Sequence, residues 1–110
     1  MRLLLDECVD WRLLREFADH DAKTVKQLGW EKVKNGALLR LVAAEFDVFL
    51  TVDKNLPHQQ NITSLELAVM VLRGRTTRLP DLLELLPLIR AALLNPQFGK
   101  FLIIRWQDLP

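Results

Sequence analysis

The chain has one cysteine, Cys8, so no disulfide can form within it, and a lone thiol among 110 residues points to a reducing compartment. It has no excess of charge of either sign. Fifteen Lys and Arg against fourteen Asp and Glu leave a formal net charge of +1, so any affinity for a polyanion must come from a local patch. Long apolar runs are missing too. The opening Leu3-Leu4-Leu5 meets Asp6 after three residues, too short for the core of a signal peptide, and no window approaches the roughly 18 residues of a membrane span. These absences predict a cytoplasmic protein that uses no membrane. Gly/Ser linkers, repeats and low-complexity tracts are likewise absent. So are a Walker loop, a Gly-x-Gly-x-x-Gly turn and zinc-ligand spacing, which removes the common phosphate-loop, dinucleotide and zinc classes.

What is present is a dense apolar half, enough for one core, and a length that predicts a single domain over residues 1–110. Apolar runs of strand length occupy residues 2–5, 47–51, 67–72 and 101–105, with a weaker one at 22–25. Helical spacing occupies residues 10–19, with Asp10 as N-cap, then a stretch opening at Lys34 or Asn35, and residues 79–94, where Pro87 should kink or divide the helix. Pro57 should break whatever follows the middle strand. This alternation predicts a three-layer α/β/α sandwich with a mainly parallel sheet and right-handed crossovers. The leucines of residues 82–94 fit a core face and also an apolar face for a homodimer.

Two of the strands end in acid. Leu3-Leu4-Leu5 runs into Asp6-Glu7, and Phe49-Leu50-Thr51-Val52 runs into Asp53-Lys54. In an open parallel sheet ligands bind beyond the carboxyl ends of the strands, where the strand order reverses. Carboxylates from two neighbouring strand ends, with a hydroxyl between them, make a hard-oxygen site suited to Mg²⁺ or Mn²⁺. The period of two puts Thr51 and Asp53 on one side of their strand. The plainer alternatives are that Asp6 or Glu7 caps the following helix and that Asp53 opens a turn with Asn55 and Pro57.

Other polar residues belong to the same edge. Lys54 is the cation nearest Asp53. Arg73-Gly74-Arg75-Thr76-Thr77-Arg78 places three arginines after the fourth strand, a patch for phosphate or a solvated loop that pairs with Asp81 or Glu84. His58, Gln59, Gln60 and Asn61 form a polar cluster after Pro57. Trp11 and Trp106 suit core or rim packing, whereas Trp30, beside Gly29, suits an exposed loop. Cys8 lies beside carboxylates that would raise its pKa, and reads as a packed, inert thiol.

The Leu-Leu-Asp-Glu opening with Leu13-Leu14, then Gly29-Trp30, the 35–43 helix, Thr51-Val52-Asp53-Lys54-Asn55 and Gln59-Gln60-Asn61 resemble the DUF5615 group of PIN-like proteins, related to VapC-type PIN nucleases. The likeness spans nearly the whole chain. It implies a PIN-like fold, a Mg²⁺ or Mn²⁺ site and cleavage of single-stranded RNA, often as the toxin of a toxin–antitoxin pair with an antitoxin protein as partner. Asp6 and Asp53 match the metal-binding acids, Glu7 the second acid of the opening motif, and Thr51 the hydroxyl position. Lys54, Arg73 and Arg75 would counter phosphate charge, and Asn35 and Gln60 would position the strand. Two departures stand out. Asn35 sits where many relatives carry Asp, and the residue 73–78 loop sits where full PIN domains place a late acid. They leave a second reading open, a degenerate module that binds RNA or a partner protein without cutting. A third reading, a phosphotransfer receiver, wants a Lys at the end of the last strand, where this chain has Arg105.

Overall fold

Five short runs rich in leucine and β-branched residues pair side by side, all in the same direction. They are β1 (Arg2–Leu5), β2 (Asp21–Thr24), β3 (Val48–Thr51), β4 (Ala68–Arg73) and β5 (Phe101–Arg105), in the order β2-β1-β3-β4-β5. The structure, a computed structural model, describes residues 1–110. Between the strands lie α1 (Asn35–Glu45), α2 (Leu56–Gln59), α3 (Leu79–Leu83) and α4 (Leu86–Leu93), with 3₁₀ turns at Trp11–Phe17, Lys26–Leu28 and Trp106–Asp108. No helix is long and apolar enough to cross a membrane.

Successive side chains of a strand point to opposite faces, and here both faces are covered. Leu3, Leu5, Leu50, Met70 and Leu72 meet Leu13 and Phe17 of the first 3₁₀ helix and the leucines of α3 and α4. On the other face, Leu4, Phe49, Val69 and Val71 meet Leu38, Leu39 and Val42 of α1 and Leu56 of α2. The three leucines of β1 are wholly buried between these layers, each worth about 1.5–3 kcal/mol relative to exposure. The result is the expected α/β/α sandwich, with a sheet that is parallel throughout.

Several local expectations change. Residues 11–17 wind as a 3₁₀ helix, not an α-helix, although Asp10 caps it as expected by accepting from the Arg12 N–H. Pro57 does not break a helix. It occupies the first turn of α2, where a missing N–H costs nothing. Pro87 plays the same part in α4, so the 79–94 stretch divides into α3 and α4 as expected. The leucines of α3 and α4 mostly serve the core. Trp11 is exposed, and Trp30 instead packs edge-on against Phe46.

The crossovers do not all share one hand. Passing from β1 to β2 moves one way across the sheet over the 3₁₀ face. Passing from β2 to β3 and from β3 to β4 moves the other way over the α1–α2 face, which gives the same hand. From β4 to β5 the chain moves in that second direction yet carries α3 and α4 over the 3₁₀ face, which gives the opposite hand. Coverage explains the exception to the usual rule. A seven-residue 3₁₀ helix cannot shield one whole side of a five-stranded sheet, and α3 and α4 supply the missing layer.

Candidate functional site

Because every strand points the same way, all five carboxyl ends lie on one edge, and the strand order reverses between β1 and β3. Asp6 follows the last residue of β1, and Asp53 lies two residues beyond Thr51, the last residue of β3. The two half-buried acids line one cleft of about 470 Å³ together with Glu7, Cys8 and Val52. The convergence expected of the strand-end acids is therefore present.

Thr51 connects them. Its side chain is wholly buried, and its hydroxyl donates to Asp6 Oδ2 at 2.7 Å while accepting the Asp53 N–H at 3.1 Å. It does not line the solvent cleft, as the strand period suggested it would. It acts from beneath, holding both acids. The Glu7 N–H donates to Asp6 Oδ1 at 2.8 Å, so both oxygens of that carboxylate are oriented. Asp53 Oδ1 accepts the Asn55 N–H at 3.0 Å, the turn role foreseen as its plainer alternative. Glu7 is exposed at the mouth.

Cys8 is not packed away. The residue is exposed, but its sulfur lies 3.4 Å from both Asp6 Oδ2 and Thr51 Oγ1. Local burial pushes the thiol above its ordinary pKa, a hydrogen bond with Thr51 opposes that, and the charge of Asp6 adds to the rise. The rise is in the direction expected, though burial contributes more to it than the carboxylate does.

The remaining candidates stand around this centre. Lys54 is exposed beside Asp53. Asn35 opens α1, and Gln60 reaches the same helix end, its Oε1 3.2 Å from where a Cβ on Gly36 would lie. Arg73 ends β4 and is exposed. Arg75 is engaged elsewhere, its guanidinium 4.0 Å from the Trp106 ring centre and 3.6 Å from a Glu84 oxygen. The loop they belong to is tightly folded. A Cβ on Gly74 would sit 2.8 Å from the Thr76 carbonyl oxygen, and Thr76 hydrogen-bonds Asp81. Asn35, Lys54, Gln60, Arg73 and Arg75 line neither the acid cleft nor the larger groove beside it.

That groove, about 960 Å³, opens from Asp6 and Glu7 toward β2 and takes in Trp11, Thr24, Lys26, Gln27 and Thr77. Sequence reasoning did not single out Thr24, Lys26 or Gln27. A signal was there. Thr24-x-x-Gln27 is a capping-box pattern, and the Thr24 N–H donates to Gln27 Oε1 at 2.8 Å while the Gln27 N–H donates to Thr24 Oγ1 at 3.2 Å.

The donor chemistry of the acid cleft suits a hard divalent cation, since Asp6, Glu7 and Asp53 all offer carboxylate oxygens. No three His, Cys, Asp or Glu side chains stand close enough to cage an ion by themselves. Mg²⁺ is commonly held by one or two carboxylates plus waters and substrate phosphate, and the residues fit that mode rather than a closed cage. Compared with known proteins, the chain matches no family model, no curated protein and no solved structure.

Proposed function

We propose that this chain is a metal-dependent endoribonuclease of PIN-like type that acts on single-stranded RNA in the cytoplasm, as the toxin of a toxin–antitoxin pair. The observation that carries the reading is the pairing of Asp6 and Asp53 across the point where strand order reverses, in one cleft and tied through one buried threonine. Asp6 and Asp53 would hold Mg²⁺ or Mn²⁺, with waters and substrate phosphate filling the remaining positions. Such an ion, when bound, polarises a phosphate and makes a bound water more acidic. The chain's own residues do the rest. Thr51 and the Glu7 N–H keep the Asp6 carboxylate aimed, exposed Glu7 orients the attacking water and takes its proton, and Lys54 and Arg73 offset phosphate charge at the rim. Asn35, which opens α1, and Gln60, whose side chain reaches Gly36 of that helix, would present amides to the strand. An antitoxin protein is the proposed partner, and a homodimer the proposed assembly.

The test is incubation of labelled single-stranded RNAs with the purified chain in Mn²⁺, Mg²⁺ or EDTA, alongside Asp53→Ala. Cutting that needs metal and vanishes in the variant is the expected result. One observation favours a second reading. The acids do not form a three-ligand cluster, so retention of RNA without cutting in any metal would identify a PIN-like module that binds and does not cleave.

A further inference from the structure

The larger groove has a composition that the acid centre does not explain. Trp11 stands at its side with 59% of its surface exposed, the most exposed aromatic side chain of the chain. An indole left in water on a short, capped helix forgoes the burial that most tryptophans obtain. Its neighbours on the helix are tied together. Asp10 caps the helix and holds Arg12 through contacts of 3.0 and 2.7 Å, and the Arg15 guanidinium lies 5.1 Å from the ring centre. Arg15 does not line the groove, which leaves no cation of that pair between the indole and the groove.

The groove floor adds polar donors. Lys26 is exposed and has no ion-pair partner. Gln27 has its Oε1 engaged by the Thr24 N–H, which leaves its amide NH₂ to donate. An exposed aromatic ring, a free cation and a free amide donor in one groove match an unstacked nucleobase and its phosphate. The groove and the acid cleft share Asp6, Glu7 and Cys8, so a strand crossing the acids continues directly into the groove.

We propose that Trp11 is a base-stacking platform for single-stranded RNA, with Lys26 binding the adjoining phosphate and Gln27 donating to the base edge. This assigns the path of the strand and rests on the single-stranded RNA reading above. It does not depend on cleavage. The strand leaves the acids on the β2 side, away from Arg75, which Trp106 and Glu84 already occupy.

The experiment measures binding of a short fluorescein-labelled oligouridine to the full chain by anisotropy in EDTA, where cutting is suppressed. Trp11→Ala should weaken binding roughly five- to a hundredfold, and Trp11→Phe should restore most of it. Lys26→Ala should flatten the salt dependence by roughly 0.7 in log–log slope. Binding of a duplex of the same length should not respond to Trp11→Ala, because its bases are already stacked. As a second readout, in a Trp30→Phe/Trp106→Phe background the remaining Trp11 fluorescence should be quenched by the oligouridine. Equal affinity of wild type and Trp11→Ala, or unquenched Trp11 at saturation, overturns the proposal. Absence of any binding by the wild type overturns it together with the RNA reading. Metal-dependent cutting with Trp11-independent binding overturns the platform alone, and Trp11-dependent binding without cutting overturns the nuclease alone.

Discussion

One hydroxyl organises the candidate site. Thr51 Oγ1 gives its proton to Asp6 and receives one from the Asp53 N–H, so two acids that lie 47 residues apart in the chain share a single buried partner. Thr51→Val keeps the shape and removes both bonds, leaving the Asp53 N–H without a partner and Asp6 Oδ2 with only the weak Cys8 thiol donor. The expected loss is about 1–3 kcal/mol in urea unfolding, with Thr51→Ser losing much less. If Thr51 merely filled space, valine would be tolerated and the two variants would not differ. The sequence carried part of this. The period of two placed Thr51 and Asp53 on one side of their strand, and the apolar run before each acid marked both strand ends. It could not reveal that the hydroxyl lies beneath the cleft, because which strand neighbours β3 is a long-range fact. Only the pairing of β1 with β3 brings Asp6 within reach. Trp11 was misjudged for a related reason. Its apolar neighbours Leu13 and Phe17 are buried, but Trp11 opens the helix, and which layer covers that helix end is again a long-range fact.

At the scale of elements, the first 3₁₀ helix shows how a cap and a groove depend on one another. Over seven residues the spacing of Trp11, Leu13, Leu14 and Phe17 suits a period of three as well as 3.6, so the pattern established a helix without its type. The cap was legible, and its chemistry has a pH signature. Hydrogen bonds from the Arg12 side chain and then its backbone N–H pull the Asp10 carboxyl down to about 2. A carboxyl with a lower pKa folded than unfolded adds stability above its ordinary value of about 3.9, and that stability is lost as pH falls toward 2. Asp10→Asn should therefore be less stable than wild type at pH 7 and equal to it near pH 2. Urea midpoints at three pH values between those limits would check it. An advantage that persisted unchanged to pH 2 would show that the carboxylate charge plays no part. Because Trp11 is the first residue of that helix, the same variant should weaken the stacking of oligouridine.

On the scale of the whole molecule, the sheet order matters more than any single strand. Running outward from β1 to β2 and then back past it to β3 creates one point of reversal, and the acids stand there. The opposite-handed last crossover belongs to the same economy of layers. It sends α3 and α4 to the face that the short 3₁₀ helix leaves thin, and α3 then packs beside that helix, which brings Thr77 to the wall of the groove. None of this was visible in local patterns, which show strands but not their order. Such an edge has a thermodynamic consequence if it holds a cation. An ion that binds only the folded chain stabilises it by mass action, about 2.7 kcal/mol at a hundred times its Kd. In a domain of this size that raises the unfolding midpoint by on the order of ten degrees. Thermal scans with increasing Mn²⁺ or Mg²⁺ should show a rise that grows with the logarithm of metal concentration. Asp6→Asn, which keeps an acceptor for Thr51 but removes the charge and turns an NH₂ toward the Glu7 N–H, should abolish most of it and lower the metal-free midpoint only modestly. A wild-type midpoint indifferent to both metals would mean that two oriented acids are too few to bind an ion without RNA. The same scan repeated with oligouridine present would then decide whether phosphate completes the site, because only a shared site makes the combined rise exceed the sum of the separate ones.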